Sequence, residues 1–206
     1  HSIAAGVDNL LAGQDTRGLP VCRVVDPQAQ GMLQYVLWSV LHFHRKLDQA
    51  LANQARAHWQ RGVQVAAGDF RVGVMGLGEL GGAIAAFLPS LGYDVHGWSR
   101  SPREIAGITV HAGHAAFDGF LAHCDVLICL LPLTDATRGI LNARTFAALP
   151  EGAAVVNCGR GEHLVPADLI AALQSGHLRG AVLDVFAHEP LPPDDALWRT
   201  PGVVVT

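Results

Sequence analysis

The chain has 206 residues, half of them apolar and 16% charged, which is the composition of a globular protein with a buried core and not of a disordered chain. Its formal net charge of -4, with no run of lysine or arginine, removes the electrostatic basis for binding nucleic acid or an anionic membrane. At about 150 residues per domain, this length predicts one domain with a remnant of another, or two small domains.

No apolar stretch reaches the roughly 18 residues that a membrane-spanning helix needs. Residues 1–10 lack the basic and apolar parts of a signal peptide, so we expect a cytoplasmic protein. The cysteines are scattered, mostly within apolar runs, and predict reduced buried thiols, with neither disulfides nor a zinc site. The histidines have no metal-motif spacing, since His42 and His44, two residues apart, lie on different helix faces. The four cysteines are Cys22, Cys124, Cys129 and Cys158.

The first predicted element is an amphipathic helix that begins at Asp26 and Pro27. Asp can cap a helix, and the fixed φ of Pro suits its first position. Apolar residues then follow the helical period as far as Leu51, and a second apolar group widens the stripe. This pattern fits either an ordinary buried helix or one that bridges domains or forms a dimer interface. The two groups are Leu33, Val36, Leu37, Val40, Leu41, Leu47 and Leu51, and then Tyr35, Trp38 and Phe43.

After a polar stretch at 53–61 and a boundary near 62–68, β-rich runs alternate with helical segments. This alternation predicts an α/β fold with a doubly wound parallel sheet and right-handed crossovers. The run at 126–131 is apolar at every position, as a strand covered on both faces should be. We predict strands at 70–75, 94–98, 126–131, 153–156 and 181–185, and helices at 79–91 and 166–174.

A G-x-G-x-x-G motif at 76–81 lies between the first strand and a helix, which is the context of a dinucleotide-binding turn. Gly76 permits the tight turn, Gly78 leaves room for a pyrophosphate, and Gly81 lets the helix approach the strand. The backbone at Glu79 and Leu80 then offers N–H groups at the positive end of the helix. The alternative is a glycine turn with no ligand.

The end of the second strand predicts which dinucleotide is bound. An NAD site usually places a carboxylate there to accept the ribose hydroxyls, but this chain has Ser99, Arg100 and Ser101. Asp94 precedes the strand and would lie at the opposite end of the sheet. A cation and two hydroxyls favour a 2′-phosphate, so we predict NADP, with NAD still possible. Otherwise Arg100 is a solvated loop charge.

Four later motifs follow the glycine turn: LLPLTDATRGIL at 130–141, VNCGRG at 156–161, LDVF at 183–186 and EPLP at 189–192. In this order and spacing, the chain resembles the D-isomer-specific 2-hydroxyacid dehydrogenases over nearly its whole length. The segment WSRS at 98–101 is similar to the glyoxylate/hydroxypyruvate reductase A branch. The resemblance implies a Rossmann-like NAD(P)-binding domain at 67–206, an interdomain or dimerisation helix and linker at 26–66, and a remnant of a flavodoxin-like substrate domain at 1–25.

The resemblance implies that Arg160 binds the carboxylate and carbonyl oxygen of the substrate. The sequence itself is consistent with this role, because Arg160 follows an apolar strand and is flanked by two glycines. The alternative is a surface arginine in a turn. Glu189 matches the carboxylate that orients the catalytic histidine, although without the family Glu189 and Pro190 would be only a turn. Asp184 matches a residue near the nicotinamide carboxamide, or else it caps its strand.

The remaining implied contacts come from loops. Leu131, Pro132 and Thr137 match the loop against the cofactor, as do Cys158 and Gly159. The turn Ala5, Gly6 and Val7 resembles the one whose N–H groups hold the substrate carboxylate. The helix before the nucleotide domain mediates dimerisation in the family, which implies a homodimer.

The implied reaction is hydride transfer from NAD(P)H to a small 2-oxo acid, of the glyoxylate or hydroxypyruvate type, giving the D-2-hydroxy acid. The family's general acid is a histidine that would fall just beyond Thr206, so the sequence resembles a fragment that lacks parts at both ends. His188 is a poor substitute, because its position is variable in the family. Two alternatives stay open: a non-catalytic dinucleotide sensor related to corepressors, and a nucleotide-binding module without turnover.

Overall fold

The computed structural model describes residues 29–206, and the chain divides into two compact units, residues 1–35 and 36–206. Several predicted features lie outside the described residues: the substrate-domain remnant at 1–25, the helix start at Asp26 and Pro27, and the thiol of Cys22. The predicted domain boundaries near residues 26 and 67 stay predictions.

In the described part of the chain, seven parallel strands form one sheet in the order β3-β2-β1-β4-β5-β6-β7. The chain runs outward from β1 to β3 and then restarts beside β1, which is the arrangement of a doubly wound sheet. The predicted fold class is confirmed. The strands are β1 (Arg71–Met75), β2 (Asp94–Ser99), β3 (Thr109–Ala112), β4 (Val126–Cys129), β5 (Ala153–Asn157), β6 (Leu178–Leu183) and β7 (Val203–Val205).

Six α-helices occur in residues 29–206, and none of them is long and apolar enough to cross a membrane. A short 3-10 turn follows α3 where Pro89 ends the regular helix, so the predicted helix at 79–91 is α-helical only in its first part. The helices are α1 (Ala29–His44), α2 (Leu47–Ala55), α3 (Glu79–Phe87), α4 (Phe117–Leu121), α5 (Ala143–Ala148) and α6 (Pro166–Gln174).

The amphipathic helix predicted to run as far as Leu51 is two helices. Lys46 has a φ of 55°, in the left-handed region, and this redirects the chain between α1 and α2. No residue of α2 is buried, and Leu51 is 60% exposed, so the prediction of one continuous stripe was wrong beyond α1. An ion pair anchors α2 instead, since Arg179 of β6 donates to Asp48 at 2.6 Å.

Two of the predicted strands have ends that differ from the observed ends by more than one residue. β4 stops at Cys129, before the segment that leads to Pro132, whose nitrogen cannot donate to a ladder. β6 starts three residues earlier than predicted, because Gly180 has a low strand propensity and interrupts the strand pattern in the sequence. A Cβ at Gly180 would lie 2.8 Å from the ring of Phe43 and 2.9 Å from the carbonyl oxygen of Gly202, so packing requires the glycine.

The core is centred on β4 and β5, in which every residue is buried. Phe120 of α4, Phe146 of α5 and Leu169 of α6 share one apolar cluster with Leu127 and Val155 of these strands. Burial of each such side chain contributes about 1.5–3 kcal/mol to folding. This packing holds the central strands rigidly, and with them the loops at their carboxyl ends.

The three described cysteines are free and buried, as predicted. Burial raises the pKa of all three thiols, that of Cys129 to about 12. A protonated thiol is neither a nucleophile nor a metal ligand at neutral pH, so Cys124, Cys129 and Cys158 act as small apolar side chains.

Candidate active site

The carboxyl ends of the central strands are in register. Met75 pairs with Trp98 on one side and with Cys129 on the other, Cys129 pairs with Asn157, and Asn157 pairs with Leu183. The segments that follow these strands therefore share one edge of the sheet, which is where open α/β sheets bind ligands. They contain nearly all the predicted site residues within the described part of the chain.

The three glycines of the turn are present for different structural reasons. Gly76 has a φ of 104°, and its Cβ would lie 2.8 Å from the carbonyl oxygen of Leu130. A Cβ at Gly81 would lie 1.9 Å from the carbonyl oxygen of Gly76, so α3 could not approach β1. Packing of the chain on itself therefore requires both residues to be glycine.

Gly78 differs from its two neighbours. Its φ of -69° suits any residue, and a Cβ there would meet no atom of residues 29–206 within 4 Å. Packing within the described part of the chain does not require a glycine at this position, whereas a pyrophosphate close to the backbone does. Gly78 is also the N-cap of α3 and offers no capping side chain, so the positive end of the helix is available to an anion. The turn fits a dinucleotide.

The end of β2 carries no carboxylate. Ser99 is buried and its hydroxyl donates to the carbonyl oxygen of Ser101 at 2.6 Å, while Arg100 and Ser101 are exposed. Asp94 pairs in register with Arg71, the first residue of β1, which places it at the opposite edge of the sheet, as predicted.

Arg103 lies at the candidate site and was not among the residues predicted from the sequence. Its guanidinium donates to the carbonyl oxygen of Leu77, inside the glycine turn. A second cation therefore lies against the segment expected to hold phosphates. The only sequence signal was a cation a few residues beyond β2, and that spacing does not reveal the contact.

The hydroxyl group of Thr137 forms hydrogen bonds that close the loop after β4. Thr137 donates from Oγ1 to the carbonyl oxygen of Pro132 at 2.7 Å and accepts the N–H of Thr134 at 2.8 Å. The structure thus brings Pro132 and Thr137 together, and the adjacent Leu131 is buried. The loop presents a defined surface next to the glycine turn, because Leu130 is hydrogen-bonded to Met75.

Arg160 lies on a loop that two buried polar side chains hold. Asn157 donates from Nδ2 to the carbonyl oxygen of Arg160 at 3.0 Å and accepts the N–H of Gly159 at 3.2 Å. His163 accepts the N–H of Arg160 at 3.0 Å through Nδ1. The half-buried guanidinium of Arg160 donates to the carbonyl oxygen of Gly159 at 2.7 Å. We did not single out Asn157 or His163 from the sequence.

The Arg160 loop is packed against the segment that follows β6. A Cβ at Gly161 would lie 1.8 Å from the carbonyl carbon of Phe186 and 2.1 Å from the nitrogen of Ala187. Only glycine allows this approach, and it brings the arginine loop next to the segment that carries Asp184 and Glu189. The glycine after Arg160 therefore serves the protein's own packing.

Asp184 follows β6 directly, and its N–H donates to the carbonyl oxygen of Asn157. Burial raises the pKa of its carboxyl, the negative charge of Glu189 adds to this, and a hydrogen bond from Thr206 opposes it. Glu189 is exposed and accepts the N–H of Phe186 at 3.0 Å. His188 is also exposed. The predicted turn Ala5, Gly6 and Val7 lies outside the described residues.

The family model described as "D-isomer specific 2-hydroxyacid dehydrogenase, NAD binding domain" matches residues 37–206. Among solved structures, a D-isomer specific 2-hydroxyacid dehydrogenase family protein from Klebsiella pneumoniae 342 is 57% identical over 92% of this chain, with a TM-score of 0.90. The chain covers 61% of that protein, so it spans less than two thirds of this relative.

Two further structures contain a cofactor. A D-isomer specific 2-hydroxyacid dehydrogenase from Xanthobacter autotrophicus Py2, in complex with NADPH and MES, is 44% identical, with a TM-score of 0.93, over 98% of this chain and 84% of its own. An NADPH-dependent glyoxylate/hydroxypyruvate reductase from Sinorhizobium meliloti, in complex with NADP and sulfate, is 40% identical, with a TM-score of 0.93, over 98% of this chain and 66% of its own.

Proposed function

This chain belongs to the D-isomer-specific 2-hydroxyacid dehydrogenase family, an NAD(P)-dependent family, and from that membership we propose that the whole protein reduces a small 2-oxo acid to the D-2-hydroxy acid. The proposed substrates are glyoxylate and hydroxypyruvate. One observation carries the proposal: Arg160 is held at the edge of the sheet that also bears the glycine turn, where its guanidinium can meet a ligand delivered beside the cofactor.

The glycine turn at 76–81 would hold the dinucleotide, which when bound supplies the hydride. The open space at Gly78 supports this assignment, since no contact among the residues that the structure describes accounts for a glycine there. Leu131, Pro132 and Thr137 would contact the cofactor from the β4 loop. Cys158, Gly159 and Asp184 would contact it from the ends of β5 and β6.

We propose NADPH as the preferred cofactor. Arg100 and Ser101 are exposed at the end of β2, and Arg103 adds a charge against the glycine turn. These groups suit a 2′-phosphate, which a carboxylate at the same position would repel. The complexes of the Xanthobacter and Sinorhizobium proteins with NADPH and NADP are consistent with this preference.

Arg160 would bind the substrate carboxylate and polarise the carbonyl oxygen, because its planar fork of donors matches both groups. Glu189 would orient and keep charged the histidine that the family uses as general acid. The N–H groups of Ala5, Gly6 and Val7 would hold the carboxylate from the other side.

A homodimer that uses α1 is part of the same proposal. Trp38 is 41% exposed and Leu41 is 37% exposed, although both are large apolar residues. Burial of such side chains against a second copy is the expected driving force for association.

The test is oxidation of NADPH by glyoxylate and by hydroxypyruvate, with the whole protein and its Arg160→Gln variant. We expect kcat/KM to fall by about 100-fold or more in the variant, because Arg160 contacts both the ground state and the transition state. Arg144→Gln is the matched control, since Arg144 is exposed and paired only with Asp118 among the contacts described. Tight NADPH binding without turnover of any 2-oxo acid would favour a non-catalytic sensor instead.

Cofactor preference is tested separately with the double variant Ser99→Asp and Arg100→Ala. We expect the ratio of kcat/KM for NADPH over that for NADH to fall by about tenfold or more, since a charge-assisted contact is replaced by repulsion. An unchanged ratio would remove residues 99–101 from the recognition of the 2′-phosphate.

A further inference from the structure

His163 is a completely buried histidine between two loops of the candidate site. Its Nδ1 accepts the backbone N–H of Arg160 at 3.0 Å, and its Nε2 lies 3.4 Å from the carbonyl oxygen of Pro132. The first loop carries the proposed substrate-binding arginine, and the second carries the proposed cofactor contacts. One imidazole therefore joins the loop after β5 to the loop after β4.

These contacts specify one protonation state. Nδ1 accepts a hydrogen bond, so it carries no proton, whereas Nε2 must carry one to donate to a carbonyl oxygen. Burial lowers the pKa of His163, and the nearby charges of Arg160 and Arg138 act in the same direction, against Glu162 and the carbonyl of Pro132. The imidazole is neutral around neutral pH, with a defined donor and a defined acceptor.

Packing does not account for the imidazole. The main chain of His163 already pairs with Leu141 and with Arg160, and these bonds need no particular side chain. An apolar residue could fill the same volume without burying two ring nitrogens. A Cβ at Gly159 would lie 2.8 Å from Nδ1 of His163, so the neighbouring residue has no side chain where the ring needs its space.

We propose that His163 is a positioning residue that fixes the backbone of Arg160 relative to the loop at Pro132. The proposal rests on the proposed function, in which the carboxylate held by Arg160 must sit at a set distance from the ring of the cofactor. A hydride moves only between carbons that are already close and aligned, so a small displacement of the arginine slows transfer. His163 would keep both loops in one arrangement before substrate arrives.

Three variants separate the two contacts. His163→Asn keeps an acceptor near the position of Nδ1 and loses the donor to Pro132. His163→Gln keeps a donor near the position of Nε2 and loses the acceptor for Arg160. His163→Leu removes both while filling the space.

In the whole protein, we expect His163→Asn to retain KM for glyoxylate within about threefold but to lower kcat by about tenfold, because Arg160 keeps its acceptor while the loop at Pro132 is released; His163→Gln and His163→Leu should raise KM by about tenfold or more. The Kd of NADPH should change by less than about threefold in His163→Gln, because this variant keeps the contact to the loop at Pro132 and the glycine turn is untouched. Equal kinetic losses in the Asn and Leu variants, or wild-type kinetics in the Leu variant, would overturn the proposal and leave only a packing role.

A second measurement does not depend on turnover. Nitrogen-15 NMR of labelled histidine should show His163 protonated at Nε2 and not at Nδ1, and hydrogen exchange of the Arg160 amide should be faster in His163→Leu than in His163→Asn. Equal exchange in these two variants, or a proton on Nδ1, would refute the positioning role. If exchange behaves as expected but wild-type protein reduces no 2-oxo acid, the proposed function fails and the structural link stands.

Discussion

The two halves of the candidate site use different chemistry to shape a binding surface. Around β1 and α3, the candidate site is shaped by missing side chains: Gly76 and Gly81 allow the backbone to close on itself, and Gly78 leaves open space among the described residues. Around β5 and β6, the candidate site is shaped by buried polar side chains, with Asn157 and His163 holding the loop of Arg160. A site formed by the backbone can therefore be recognised from the spacing of glycines in the sequence, whereas a site formed by side chains depends on contacts made only in the folded chain.

The largest expected effect is on stability, and it distinguishes the glycines required for packing from Gly78, which we propose is required for cofactor binding. Gly81→Ala should lower the free energy of unfolding by about 3 kcal/mol or more, because its Cβ would strike backbone that cannot move aside. Urea denaturation followed by circular dichroism measures this. Gly82→Ala is the matched control in the same helix, since its Cβ meets ordinary contacts of 3.5 Å or longer. Equal stability of the two variants would contradict the assignment.

The second largest effect is expected at Asn157, which holds the loop of Arg160 in the half of the site that is shaped by side chains. Asn157→Ala leaves the carbonyl oxygen of Arg160 and the N–H of Gly159 without their partner, so the free energy of unfolding should fall by about 1–3 kcal/mol. Calorimetry provides the measurement, and Asn53→Ala on the unburied helix α2 is the control. A stability loss no larger than that of the control would mean that the loop holds its shape without Asn157.

The smallest effect on stability is expected at Gly78. Gly78→Ala should change the free energy of unfolding by less than about 0.5 kcal/mol, since its Cβ points into open space. NADPH affinity, measured by fluorescence titration, should nevertheless fall about tenfold or more, equivalent to about 1.4 kcal/mol. Gly119→Ala is the control, because that glycine is equally unobstructed but lies on α4. Unchanged affinity in Gly78→Ala would separate the turn from cofactor binding.

Most of the fold could be predicted because its central strands are almost entirely apolar, with Asn157 at the end of β5 as the polar exception. β4 and β5 are buried on both faces, so their runs of Val, Leu and Ile were unambiguous. The edge strand β3 was missed, since its four residues are only partly buried or exposed and carry no strong pattern. β7 is short and lies at the other edge. The helix break at Lys46 was also hidden, because lysine favours helices and rarely adopts a positive φ.

The site was predictable only in part, for a related reason. The glycine motif carries its own physical argument, and the position of Arg160 after an apolar strand carries another. The roles of Glu189 and Asp184 came from the family resemblance alone. Arg103, Asn157 and His163 make their contacts across turns and between loops, with geometry that spacing along the chain does not encode.

The narrow gap between Gly161 and the main chain at Phe186 and Ala187 limits how the protein can be redesigned. Any larger side chain at residue 161 would push the loop of Arg160 away from the segment that carries Asp184 and Glu189. Substitutions meant to widen the candidate site should therefore be made at other residues, because a side chain at residue 161 would meet main-chain atoms of Phe186 and Ala187. Libraries directed at new selectivity should leave codon 161 unvaried.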